Sequence, residues 1–195
     1  MKTYLFLLSV LILNVSCESE GQSLEKVNII AQGDCIIGNV EGLVMEFCIF
    51  DIEGNSRTVF NENENFIISL VLKNLSQETM VIDQNLIDAN FFRVINVVDN
   101  EDFGTPYTAV WCQYSLAPRE LQLEPGTSLT LNSPWVLDFE KEVFPTAPLC
   151  KSENNEFLNK GVYSTGFDTA FTIKKGERTI QLSGQSEISI LLTIN

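Results

Sequence analysis

Residues 65–76, Asn65-Phe66-Ile67-Ile68-Ser69-Leu70-Val71-Leu72-Lys73-Asn74-Leu75-Ser76, carry the pattern from which the fold can be read. Phe66, Ile68, Leu70 and Leu72 fall on one parity, Ile67 and Val71 on the other, and Ser69 and Lys73 are the polar exceptions. A strand with one face in water alternates cleanly, so apolar residues on both parities predict a strand covered on both faces. Asn61, Glu62, Asn63 and Glu64 precede it and Asn74, Ser76 and Gln77 follow, both turn-forming clusters. The stretch therefore reads as the central strand of an antiparallel β-sandwich.

Short strands separated by turn residues continue on either side. Val27 to Ala31 opens the ordered part, and Gly33, Gly38 and Gly42 punctuate the segments before Leu43 to Phe50. The turn at Asp51-Ile52-Glu53-Gly54-Asn55 predicts that Arg57 to Phe60 runs back as a hairpin arm. Thr79 to Ile82, Phe91 to Val98, Tyr107 to Tyr114, Leu121 to Leu123, Val162 to Ile173 and Glu187 to Ile194 supply further strands. Glu124-Pro125-Gly126-Thr127 has the proline and glycine positions of a type II turn. No window holds a capped three-to-four apolar period, so the expected fold class is all-β with little helix.

At 195 residues, 45 % of them hydrophobic, the chain can fill one sizeable core. A formal net charge of -14 repels nucleic acid and anionic headgroups, so no nucleic-acid partner is expected. Histidine is absent. That removes the commonest general base and metal ligand at neutral pH, and with them most catalytic triads and zinc sites.

Met1-Lys2-Thr3 is a short basic start, and Tyr4 to Leu13 is apolar apart from Ser9. This run is too short for a membrane-spanning helix, which needs roughly 20 residues, and suits a signal peptide. Asn14-Val15-Ser16-Cys17 closes it and resembles a bacterial lipobox, departing from that pattern at Asn14. The resemblance implies cleavage before Cys17 and diacylglyceryl attachment to its sulfur; the competing reading is an ordinary secretory signal. Residues 1–16 are then the signal peptide, 17–26 a polar tether and 27–195 a single β-sandwich domain. Glu18 and Glu20 after the cysteine resemble a surface-export signal of some Gram-negative lipoproteins. The expected location is the outer membrane, at the cell surface, held through the lipid on Cys17.

The order of Glu62 to Asn74, Phe91-Phe92, Trp111, Leu123-x-Pro125-Gly126, Trp135 and Gly161-x-Tyr163 resembles the BsuPI-type intracellular proteinase inhibitor family. It is similar also to small envelope lipoproteins sharing that immunoglobulin-like sandwich. The resemblance covers roughly Phe47 to Ile173 and implies an immunoglobulin-like fold, because sandwiches host unrelated functions. Gly161-Val162-Tyr163 also looks like a tyrosine corner, with a plain core tyrosine as the alternative.

Cys35, Cys48, Cys112 and Cys150 remain after Cys17, and an exported compartment permits disulfides. Of three possible pairings, Cys35 with Cys48 and Cys112 with Cys150 is favoured, because the first pair flanks neighbouring strands and the second staples a long loop. Asp51, Glu53 and Asn55, and Asp99 to Asp102, offer oxygen ligands without the spacing of a calcium loop, so solvated turns are expected and no metal. Asp168-Thr169-Ala170 resembles an O-glycosylation acceptor of some anaerobic Gram-negative bacteria; against it, Thr169 shares parity with Phe167 and Phe171 and could face the core. Asp138 to Lys160 is the longest run lacking strand alternation, and it marks Phe139, Phe144 and Phe157 as candidate partner-binding residues. The functional expectation is a noncatalytic binding or accessory module without cofactor, with a protein or glycan partner. A proteinase inhibitor is the alternative, and a glycan hydrolase acting through two carboxylates is the third class.

Overall fold

The computed structural model describes residues 23–83, 86, 91–106, 120–136, 156–182 and 187–195, and every regular element named within them is a strand. Three sheets form. Sheet I is wholly antiparallel: β2 (Asn28–Gln32), β3 (Cys35–Val40), β4 (Leu43–Phe50), β6 (Ile67–Asn74) and β11 (Ser128–Pro134), in the order β11-β6-β4-β3-β2. Sheet II has the order β5-β15-β12-β8-β9, from β5 (Val59–Phe60), β15 (Glu187–Ile194), β12 (Gly161–Asp168), β8 (Arg93–Asn96) and β9 (Asp102–Gly104). Sheet III has the order β1-β14-β13-β7-β10, from β1 (Ser23–Glu25), β14 (Arg178–Leu182), β13 (Thr172–Lys175), β7 (Met80–Asp83) and β10 (Glu120–Leu123). Among the described residues the first strand begins at Ser23, inside the segment expected to be tether.

Sheets I and II face each other. The Phe47 ring of β4 meets Phe92 at 5.8 Å and Phe167 of β12 at 5.5 Å between centroids. Gly38 of β3 lies so close to the facing layer that a Cβ there would stand 2.9 Å from the Cδ1 of Ile188 in β15. Sheet III closes the same core with Met80, Ile82, Leu123, Ile173, Ile180 and Leu182. The chain is an all-β, immunoglobulin-like antiparallel β-sandwich.

The stretch from Asn65 holds an interior strand as expected, although β4 takes the middle of the sheet and β6 lies beside it. Phe66, Ile68, Leu70 and Leu72 are fully buried, whereas on the other parity Ser69 is buried, Ile67 and Val71 are half-buried and Lys73 is exposed. Coverage of that second face is therefore partial. Both ends of the strand are fixed by buried amides. At the start, Asn65 Nδ2 donates to the Val136 carbonyl at 2.6 Å, and its Oδ1 accepts from the N–H groups of Phe66 and Val136, each at 3.0 Å. At the far end, Asn74 Nδ2 donates to the Glu78 and Leu123 carbonyls at 2.8 and 2.9 Å. Its Oδ1 accepts from the N–H and hydroxyl of Ser76. The Asn74 backbone bonds Thr127 and Gly126 across the Glu124–Thr127 turn, where Gly126 has φ 73 as a type II turn requires.

Two strand connections differ from the sequence reading. The hairpin arm at Arg57 to Phe60 is cut short: a bridge joins Phe50 to Ser56 and the Arg57 N–H donates to the Ile49 carbonyl at 3.0 Å, after which β5 pairs in parallel with β15 in the opposite layer. In the loop between, the Asp51 carboxylate accepts N–H bonds from Glu53 and Asn55. Val162 to Ile173 is likewise two strands. β12 ends in sheet II at Asp168 and β13 starts in sheet III at Thr172, with Thr169 and Phe171 buried at the crossing.

Tyr163 forms the tyrosine corner: its hydroxyl donates to the Asn159 carbonyl at 2.7 Å, and its ring meets Phe103 edge-on. Burial first, then the carboxylates of Glu101, Asp99 and Glu62, push its pKa above the ordinary 10.0.

Two outcomes are expected. Asn74→Ala leaves the buried Leu123 carbonyl without this donor, while the Glu78 carbonyl keeps the Ser76 hydroxyl, and should cost about 2 kcal/mol in denaturant unfolding. Asn74→Asp, equal in size but unable to donate, should be no better; a well-tolerated Asp would assign Asn74 to packing alone. For Tyr163, a folded pKa above the unfolded value means its contribution is intact below pH 10 and is lost as pH rises through the folded pKa. Tyr163→Phe should therefore cost about 1 kcal/mol at neutral pH and reduce the loss of stability in alkali, read from melts between neutral pH and strong base.

Candidate binding surface on the outer face of sheet II

β12 and β15 alternate strictly, with Tyr163, Thr165, Phe167 and Ile188, Ile190, Leu192, Ile194 turned inward. The outward parity of a solvated sheet should be polar. Here it is broken at one end by aliphatic side chains. Leu191, at 60 % exposure, lies opposite Ser164, which lies opposite Ile95 of β8. One row further along, Val59 of β5 at 49 % exposure pairs with Thr193 and so with Val162, whose carbonyl accepts the N–H of the exposed Val97. Val98 continues the apolar surface into the turn after β8.

Toward the other end this face turns polar. A surface cleft of about 350 Å³ is lined by Arg93, Ile95, Ser164, Gly166, Asp168 and Glu187 among others. Its floor is Gly166, which pairs with Arg93 on one side and Ser189 on the other. A Cβ on Gly166 would lie 2.1 Å from the Ile188 carbonyl oxygen, so no larger residue fits without moving the strand. Arg93 forms an ion pair with Asp102 of β9, while Asp168 and Glu187 stand directly opposite each other, two like charges at the rim. Phe92, just before β8, holds φ 61, a left-handed conformation costly for a bulky residue; its N–H bond to the Gly166 carbonyl at 2.7 Å and its stack on Phe91 keep it there.

The residues singled out from the sequence are dispersed. Cys35 and Cys48 are joined, with Cα atoms 4.5 Å apart across β3 and β4. Glu46 brings a carboxylate beside the two sulfurs, but both are spent in the S–S bond and offer no thiolate to a metal. Thr169 is fully buried at the sheet crossing, on the core-facing parity it shares with Phe167 and Phe171. Phe157 is 40 % exposed, one residue after Glu156, whose carbonyl accepts the indole N–H of the buried Trp135. Cys17, Cys112, Cys150, Phe139 and Phe144 lie outside the described residues.

Asp51 is occupied internally. Burial alone would raise its pKa, but the Asn55 backbone and side chain, the Arg57 guanidinium and the Glu53 N–H together hold it below the usual carboxylate range. Arg57 also pairs with Glu64 and lies over the Phe60 ring at 4.5 Å. Those oxygens serve the loop.

The sheet II face was not picked out from sequence, although one sign was available. In Glu187 to Ile194, Leu191 breaks the polar parity set by Glu187, Ser189 and Thr193.

No family model matches this chain, and no curated protein does. Among solved structures it is similar to the ASH / PapD-like domain of human CEP192 (PapD-like domain 7), at 13 % identity and TM-score 0.35, over 70 % of this chain and 77 % of that one. It also matches a β-glucosidase from Listeria innocua in complex with gluconolactone, at 10 % identity and TM-score 0.30, over 77 % of this chain and 16 % of that one.

Proposed function

We propose that this chain is an outer-membrane lipoprotein, displayed at the cell surface through lipid on Cys17, whose sandwich is a noncatalytic binding or accessory module. Its partner is a protein that docks on the outer face of sheet II. The observation that carries the binding reading is the row of exposed aliphatic side chains, Val59, Leu191, Ile95 and Val97, on a face whose parity calls for polar residues. Exposed aliphatic side chains on neighbouring strands with charges toward one rim have the composition of a protein interface. Sugars are held chiefly by hydrogen bonds, and this row offers little beyond Ser164 and Thr193.

The anchor rests on the sequence: an apolar run too short to span, then Ser16-Cys17 and acidic residues. Residues 18–22 separate Cys17 from β1 and reach at most about 18 Å when extended. Acyl chains contribute about 0.8 kcal/mol per buried methylene, enough for two or three of them to hold such a domain on a membrane.

Mass spectrometry of protein from its native host should find the mature chain beginning at an acylated Cys17, and Cys17→Ser should abolish both processing and labelling. Unmodified Cys17 in the wild type would rule out the anchor. For the surface, Leu191→Asp, at 60 % exposure, should change unfolding free energy by no more than about 0.5 kcal/mol, and Ile95→Asp, 36 % exposed, by about 1 kcal/mol. The same variants should lose the partner recovered by cross-linking intact cells. Undiminished recovery would place the interface elsewhere.

A further inference from the structure

The six outer edges of the three sheets are not alike. β5 has two residues; β9 contains Asp102, β1 contains Glu25, β10 contains Glu120, and β11 ends in Pro134. Short length, charge and proline all discourage an edge from pairing with another chain. β2 has none of these protections. Asn28-Ile29-Ile30-Ala31-Gln32 is uncharged, free of proline and exposed at every residue, and Ile30 is 57 % accessible. Among the described residues it pairs on one edge only, with β3.

The hairpin is also held ready. Gly33, at φ 62, begins a two-residue turn between Gln32 and Cys35, and the Cys35–Cys48 bridge ties the hairpin to β4. The bridge also reports the hydrogen-bond phase. A Cα separation of 4.5 Å marks Cys35 and Cys48 as a non-hydrogen-bonded pair, so Cys35 turns its backbone groups toward β2. Counting along the register, Ile30 bonds Ile37, while Ile29 and Ala31 turn their N–H and C=O groups outward.

We propose that β2 is a homodimer edge, pairing antiparallel with β2 of a second copy about a twofold axis at Ile30. The sequence matches itself in that register. Ile29 meets Ala31 of the second copy and exchanges both backbone bonds with it, Asn28 meets Gln32 amide to amide, and the two Ile30 side chains meet at a non-hydrogen-bonded position where side chains approach most closely. An uncharged edge matters because each copy carries a net charge of -14 and approach through most other surfaces is opposed. The pairing joins sheet I of both copies into one continuous sheet and leaves the face of sheet II free.

The test uses the mature full-length chain in detergent micelles. Light scattering should report a dimer for wild type and a monomer for Ile30→Lys, which should still melt cooperatively, lower only by the concentration-dependent stabilisation that dimerisation gives the wild type. Under mild oxidation Ile30→Cys should give a covalent dimer on nonreducing gels, because its mate is the same residue across the axis, whereas Asn28→Cys, facing Gln32, should not. A monomeric wild type that Ile30→Cys fails to cross-link would overturn the proposal. A dimer that survives Ile30→Lys, or equal cross-linking at positions 28 and 30, would do so as well. Leu191→Asp should leave the dimer intact, which separates this inference from the binding face proposed above.

Discussion

The strand ends of a buried sheet pose the hardest requirement of this fold: backbone groups just beyond the ladder need partners that no neighbouring strand supplies. Asn65 and Asn74 meet it at the two ends of β6. Each is buried, and each amide both donates to and accepts from groups outside the ladder. Asn74 is the more connected, since it reaches the Leu123 carbonyl at the end of β10 and so ties sheet I to sheet III. An aspartate of the same shape could accept but not donate. The pattern of neighbouring loops around β6 follows from these two side chains as much as from its apolar residues.

From that frame the sheet spacing follows. At a close approach of sheets I and II the side chain vanishes: Gly38 of β3 lies against Ile188 of β15. Where the layers separate, aromatics fill the gap, with Phe47 between Phe92 and Phe167, and Trp135 stacked on Phe66 at 5.8 Å. Phe92 accepts a left-handed backbone to reach that position. Sheet II is thus fixed from within, while its outer surface is free to carry an aliphatic row that packing inside the domain does not require.

Much of the architecture was legible in the sequence because apolar parity and turn chemistry are local. The strand after Asn65, the Pro125-Gly126 turn, the Tyr163 corner and the Cys35–Cys48 pair each depend on residues close in sequence or on neighbouring strands. What failed to read depends on longer range. Nothing near Arg57 announces that β5 will join β15 in parallel, and nothing near Asp168 announces a change of sheet, since the partners are set by where the rest of the chain lies. Thr169 shows the same limit, because parity raised the prospect of a core position and only the crossing decided it. The binding face was missed for a different reason. A single outward leucine in a strand is unremarked alone, and its meaning comes from Ile95 and Val59, which lie far away in sequence.

The crossing at Thr169 to Phe171 has a further consequence for how the molecule comes apart. One continuous run of chain pairs with β15 and β8 in sheet II and then, after three residues, with β14 and β7 in sheet III. Neither sheet can loosen without pulling on the three-residue crossing that joins β12 to β13. Proteins commonly open in separable blocks that follow supersecondary units; here the seam along which two such blocks would part is itself threaded through both. Among the described residues, slow-exchanging amides should accordingly be spread over sheets II and III together.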